Sequence, residues 1–249
     1  MQVQKHYSKA PITEAIIDLK VTFPEDFSAD TFAGIYDHIH DRFPTMEPMY
    51  TGIGSFVFQP GSSITVNTDQ QHNGFLFKSE DSLKLFQATL NGFTFNRLAP
   101  YQSWEEFSGD AKYLWRIYKD ICKPTQVIRA AIRYINQLVI PIEGLVDLQD
   151  YLQIVPEVTS NLPQKTLSSF FMQLQIPQDD LNCMLIINET LAPATNSETI
   201  NIILDFDLFR QQNWQNDDEN IWRFLEQLRH RKNQVFEASI TDKTRRLID

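Results

Sequence analysis

The chain is poor in the residues from which most recognisable chemistry is built. Its 249 residues include two cysteines, five histidines and eight glycines. Cys122 and Cys183 have no C-x-x-C spacing and no neighbouring histidine, which leaves no zinc motif; they read as two small hydrophobes in a reducing compartment. The glycines are too few and too scattered for a phosphate-cradling loop, and G-x-S-x-G, H-E-x-x-H and P-loop patterns are absent. His38 and His40 stand two residues apart, on different faces of a helix, whereas a helical metal pair needs four. His6, His72 and His230 have no sequence-near partner for a nucleophilic constellation. No apolar run reaches the ~18 residues of a membrane span. The opening Met-Gln-Val-Gln-Lys-His has no apolar stretch behind it to act as a secretory leader. Positive charge is also in deficit: 22 Lys and Arg against 32 Asp and Glu give a net charge of −10, spread over both halves of the chain. Such a surface repels phosphate backbones at long range. The expectations are a cytoplasmic protein with no metal, no cofactor and no membrane, and with no nucleic acid held through the surface as a whole, a local basic patch aside.

What is present is a core. Apolar residues make up 42% of the chain and aromatics 12%, enough to bury roughly 70% of the unfolded surface without a staple. Residues 1–249 read as one α+β domain. Ile17–Phe23 alternates apolar and polar residues, as a strand with one wet face does, and Pro24 ends it. Ser28 offers an N-cap to a helix carrying Phe32, Ile35, Tyr36, Ile39 and Phe43. Strands are expected at Ser55–Gln59, Ile64–Thr68, Gly74–Ser79 and Leu83–Phe95. Ser103-Trp-Glu-Glu106 is a capping box that opens a helix with Phe107, Ala111, Leu114, Trp115 and Tyr118 on one stripe. Val127–Ile140 is a long strand, Leu145–Leu152 a short helix and 156–168 a loop. Strands follow at Phe170–Ile176, Cys183–Glu189 and Ile200–Phe209. A last helix has acids at its start and the stripe Ile221, Phe224, Leu225 and Leu228. Phe236–Thr241 reads as a final short strand or as more of that helix.

The order of elements repeats. Residues 10–123 and 125–240 each run from a strand through further strands to an amphipathic helix bearing a tryptophan, Trp115 or Trp222. Each half is expected to be a curved antiparallel sheet under its helix, the two joined edge to edge. The pattern resembles the duplicated arrangement of TATA-binding-protein-like and helix-grip folds, a likeness that carries no function with it.

Polar residues inside apolar strands are the strongest site candidates. Strand alternation puts Arg129 and Arg133 on one face and Tyr134 and Asn136 on the other. Asp205 and Asp207 share a face opposite Leu204, Phe206 and Leu208, so the arginines and aspartates could pair across strands. Such a set is either a salt-bridged outer face or the polar floor of a groove. The C-terminal stretch from Arg229 to Arg246 holds six Lys and Arg residues against Glu237 and Asp242. It reads either as complementation of the helix dipole or as a patch for an acidic partner or nucleic acid.

Five stretches also resemble a sporadically distributed family of uncharacterised bacterial proteins. They are Ala10-Pro-Ile-Thr-Glu-Ala-Ile-Ile-Asp18, Phe95-Asn-Arg-Leu-Ala-Pro-Tyr101 with Trp104, Arg133-Tyr-Ile-Asn136, Leu204-Asp-x-Asp207, and Leu228-Arg-x-x-Lys232-Asn-x-x-Phe236 with Ile240-Thr241. The resemblance implies a single-domain protein of this length and transfers no reaction, cofactor or catalytic residue. Its polar positions include Glu14, Arg97, Arg133, Asn136, Asp205, Asp207, Arg229, Lys232 and Asn233, as a shared site or a shared buried network. The expected function is non-enzymatic: an accessory or defence-associated component that holds a protein partner or small ligand on its sheet or in the cleft between sheet and helices. Its aromatic content also raises homodimerisation. The alternatives are an enzyme using Arg133, Asp205 and Asp207, and a nucleic-acid binder using the C-terminal basic patch.

Overall fold

A computed structural model describes residues 7–57, 65–142, 144, 146–159, 161–164, 167–193, 196, 198–214 and 217–249. The fold is α+β. Its strands are β1 (Ile12–Thr22), β2 (Thr45–Val57), β3 (Thr65–Lys78), β4 (Lys84–Thr89), β5 (Gly92–Leu98), β6 (Gln126–Pro141), β7 (Phe171–Gln178), β8 (Cys183–Ala192) and β9 (Thr199–Gln211). They form one antiparallel sheet in the order β2-β3-β4-β5-β1-β6-β9-β8-β7. The strands that open the two halves, β1 and β6, pair at its centre, with Ala15 opposite Tyr134, Ile17 opposite Ile132 and Leu19 opposite Ala130. Each takes the last strand of its own half on its other side, β5 on β1 and β9 on β6. The halves thus meet edge to edge, and only β2 and β7 keep an open edge in this sheet.

The helices are α1 (Tyr36–Ile39), which continues a 3-10 turn at Ala29–Ile35, α2 (Trp104–Cys122), α3 (Asp218–Ser239) and α4 (Asp242–Ile248). Their starts are capped by side-chain oxygens that satisfy free backbone donors. Ser103 Oγ accepts from the Glu106 amide at 3.1 Å, and Asp217 Oδ1 accepts from the Asn220 amide at 3.1 Å. The Glu106 carboxylate pairs with Lys84 at 3.1 Å. Lys123, left-handed at φ 47°, closes α2 just before Pro124.

Helices α2 and α3 cover the same face of the sheet. Trp115 and Tyr118 pack edge-on to Phe93 at 5.5 and 5.8 Å, Phe107 stacks on Phe95 at 5.5 Å, and Phe236 meets Phe206 at 6.5 Å. The two helices run antiparallel. Trp115 Nε1 donates to Asp218 at 3.1 Å, Lys112 lies over the Trp222 ring, and Trp104 Nε1 donates to Glu226. Because α2 begins at Trp104, the part of α3 beyond Glu226 runs on with no α2 beside it. That geometry opens the space described below.

Several strands differ from the sequence expectation. The stretch Leu83–Phe95 is a hairpin, β4 and β5, turning at Leu90 and Asn91. Gly92 there has φ 141°, and a Cβ would lie 2.2 Å from the Leu19 carbonyl oxygen, so only glycine lets the backbones approach. The Asn91-Gly92 pair was the available turn signal. The strands expected at Ile64–Thr68 and Gly74–Ser79 belong to one long β3, and β2 starts at Thr45, ten residues before the expected Ser55. Residues 65–73 of β3 pair with β2, whereas β4 reaches only Gly74–Lys78, so this outer stretch is a two-stranded ribbon. Its run Asn67–Asn73 is polar without apolar alternation and reads as a turn. The short helix expected from Leu145 is a 3-10 turn at Leu148–Asp150. At the C-terminus α3 continues to Ser239, Ile240 makes a single bridge to Leu152, and α4 follows. His6, Gln59, Ile64 and Leu145 lie outside the described residues.

Trp115 is 1% exposed and joins the core of one half to the helix of the other. Trp115→Ala should therefore lose about 3–5 kcal/mol of unfolding free energy. Equilibrium urea unfolding checks this, and a loss below about 1 kcal/mol would contradict the packing described.

Candidate functional site

The eight sequence-nominated residues fall on opposite faces of the sheet. Arg133, Asp205 and Asp207 stand on the face away from the helices. Arg133 grips Asp205 with two bonds of 2.7 Å, and Asn188 donates to the same carboxylate at 2.9 Å. Arg129 bridges Asp207 at 3.0 Å and Asp18 at 2.6 Å, and Thr94 donates to Asp18 at 2.8 Å. Asn96 donates to Glu14 at 2.6 Å. Burial pushes the Asp207 carboxyl up despite the two nearby guanidiniums. These charges are spent on one another across three strands, β1, β6 and β9. Arg97 is on the helix side of β5, 7% exposed, in a small separate space beside Ser103, Glu106 and Asp110.

The other four, Asn136, Arg229, Lys232 and Asn233, meet at one cavity of about 1050 Å³. Its floor is Tyr134 and Asn136 on β6, and its roof is the second half of α3. Tyr101 and Trp104 close the α2 end, and Tyr7 to Ile12 with Arg245 close the other. Four of the five stretches that carry the family resemblance supply lining residues. The fifth touches the floor from behind, where the Leu204 carbonyl accepts from Asn136 Nδ2 at 3.1 Å.

Lys232 is the unusual group. It is 9% exposed, and its Nζ stands 4.1 Å from the centre of the Tyr134 ring. Among the described residues no carboxylate or hydrogen-bond acceptor holds that nitrogen. Burial, and then the positive charge of Arg229, lowers its ammonium from 10.5 to about 7. Arg229, one turn earlier, makes one ion pair, to Glu226 at 3.3 Å. The aromatic wall is neutral: Tyr101 and Tyr134 share a hydroxyl contact at 3.1 Å, burial raises Tyr101 to about 12, and it raises Tyr134 well above the ordinary range. At the far end Glu237 is occupied by Tyr7 at 2.7 Å and by Arg245 at 2.9 Å. The lining also holds the carboxylates of Glu105, Glu237 and Asp242, and among the described residues none of them is ion-paired to Lys232.

Sequence reasoning missed Tyr7, Tyr101, Trp104 and Tyr134 as cavity residues. Three of them lie in the resembling stretches, which was the available signal. The C-terminal basic patch is largely taken up within the chain. Arg229 binds Glu226, Arg231 binds Asp180, Lys243 binds Asp150, and Arg245 binds Glu237 and Asp242. Among the described residues no group of three His, Cys, Asp or Glu side chains is arranged for a metal ion, and no helix is long and apolar enough to cross a membrane. No protein-family model matches the chain, and no curated protein matches it.

A second buried ionisable group lies outside the cavity lining. Glu189 on β8 is 1% exposed, one carboxyl oxygen has no partner, and burial raises it from 4.5 to about 7. The two groups pull stability in opposite directions with pH. Between pH 4.5 and 7 the unfolded chain releases a proton that folded Glu189 keeps, so this contribution falls as pH rises. Between pH 7 and 10.5 the unfolded chain keeps a proton that folded Lys232 has lost, so that contribution rises with pH. Glu189→Gln should flatten the first slope and Lys232→Met the second. Urea unfolding of both variants across pH 5–10 measures this, and unchanged slopes would show that neither group is buried as described. On the open face, Arg133→Ala removes two hydrogen bonds from the Asp205 carboxylate and leaves it the Asn188 amide. It should cost about 1–3 kcal/mol of stability, read in the same assay.

Proposed function

We propose that the protein binds a small organic anion in the cleft between β6 and α3, with Arg229 and Lys232 holding the negative group. The observation that carries this reading is the buried Lys232 ammonium, which forms no ion pair with any carboxylate among the described residues. An uncompensated buried cation costs stability that a methionine of similar shape would not. A bound anion removes that cost and raises the lysine's proton affinity again. Supporting features are the size of the cavity, which matches small-molecule sites, and the mixture of aromatic walls with a few convergent polar groups. Asn136 supports it too: its amide nitrogen is tied to the Leu204 carbonyl, which holds the side chain at the floor. The meeting of four resembling stretches at this cavity favours a shared site over a shared structural network.

The open sheet face fits this reading as scaffold. Its arginines and aspartates already pair with one another, which leaves little charge for a ligand. The free thiols of Cys122 and Cys183 accord with work in the reducing cytoplasm.

Thermal and chemical unfolding with a panel of carboxylates and inorganic phosphate tests the proposal. An anion present at a hundred times its dissociation constant should stabilise the chain by about 2.7 kcal/mol. Lys232→Met should weaken binding at least about tenfold while leaving the fold intact. For an unreactive anion, affinity should fall as pH rises through 7, because Lys232 loses its charge there. Arg133→Ala should not change the affinity. No stabilisation by any anion, or equal binding by Lys232→Met, would remove the reading.

A further inference from the structure

Arg229 and Lys232 are three residues apart on α3 and line the same cavity. That spacing puts their side chains on one face, with Cβ atoms about 5–6 Å apart. The two differ in chemistry. A guanidinium stays charged and forks onto a carboxylate, whereas an amine that is free of acceptors and shielded from water can act as a nucleophile. Resting on the reading of this cleft as an anion site, we propose that its ligand is a small oxo acid, whose carboxylate pairs with Arg229 and whose carbonyl carbon is attacked by Lys232 Nζ to form an imine.

The step balances without a further reagent. The nitrogen lone pair adds to the carbonyl carbon, a C–N bond forms, and the carbonyl oxygen leaves as water with both amine hydrogens. The surroundings suit it. The charged and titratable groups around Lys232 are Arg229, His230 and Glu226 on its own helix, Tyr134 from β6, Tyr101 from the segment before α2 and Glu105 in the first turn of α2. Beyond them, Glu237 is already bonded to Tyr7 and Arg245, and Asp242 to Arg245. Among the described residues none of these carboxylates bonds Nζ and fixes it as ammonium, and the lysine's lowered proton affinity gives a free-amine fraction at neutral pH. The apolar remainder of the cavity, at Trp104 and Phe236, accommodates the body of an oxo acid larger than the reacting head.

The test uses the intact protein with glyoxylate as the minimal oxo acid and cyanoborohydride to reduce any imine. Intact mass and peptide mapping should place one carboxymethyl group on Lys232. Acetaldehyde, which has the carbonyl but no carboxylate, should label that lysine at least about tenfold more slowly, and Arg229→Gln should slow glyoxylate labelling by a similar factor. The rate should rise with pH through about 7, whereas surface lysines titrate near 10.4. Binding of oxalate, which has no electrophilic carbonyl, is measured in parallel by calorimetry. Labelling spread over surface lysines, or none at Lys232, overturns the imine. If oxalate still binds in that case, the anion site survives alone; if oxalate also fails to bind, both readings fall. Lys232→Arg should keep oxalate binding and lose the adduct. If it does not fold, the pH profile and the acetaldehyde comparison on the native chain decide.

Discussion

Everything in this molecule is arranged from the antiparallel pairing of β1 with β6. Each strand opens its half of the chain, and each is flanked by the closing strand of the same half. The pair turns two sheets, each with an edge to hide, into one sheet whose centre is buried under helices. It also sets the side-chain parity of both halves at once. Ala15, Ile17 and Leu19 point to the helices in register with Tyr134, Ile132 and Ala130. A slip of one residue would send Arg133 into the core and Tyr134 into solvent.

From that pairing the two faces acquire different roles. The face under α2 and α3 carries the aromatic core, where Phe93, Trp115 and Tyr118 interlock. The other carries a lattice of guanidinium and carboxylate groups that neutralise one another over β1, β6 and β9. Charges placed this way tolerate partial burial because each has several partners. The cleft follows a different rule. Its cations have few partners, and its one deeply buried lysine sits on a tyrosine ring.

The cleft exists because the helices are offset. Antiparallel contact between α2 and α3 ends where α2 begins, at Trp104 and Glu226, and α3 continues over β6 and β9. The segment around Tyr101 and the N-terminal stretch from Tyr7 fill that end only in part. The Lys9 amide, bonded to the Ile248 carbonyl at 3.0 Å, ties the N-terminal stretch to the end of α4. Residues 7–12 and α4 are thus held together beside the cleft, so its geometry depends on the completed fold.

Amino-acid pattern alone determined the central elements. Alternation in Ile17–Phe23 and Val127–Ile140, the cap at Ser103, the acids that open the last helix, and the stripes through Trp115 and Phe224 are local properties of backbone and side chain, legible over a few residues. So was the separation of Arg133 from Tyr134 and Asn136, because parity along a strand is fixed by its pleat. The long β2–β3 ribbon was not legible, since its run Asn67–Asn73 carries no apolar alternation. Nor was the sorting of the polar residues into a neutralised face and a cleft in which Lys232 lies on the Tyr134 ring. Asp205 lies 72 residues from Arg133, and Tyr134 lies 98 from Lys232. Only tertiary structure brings them together, because charge compensation and desolvation depend on which groups become neighbours after the sheet has closed.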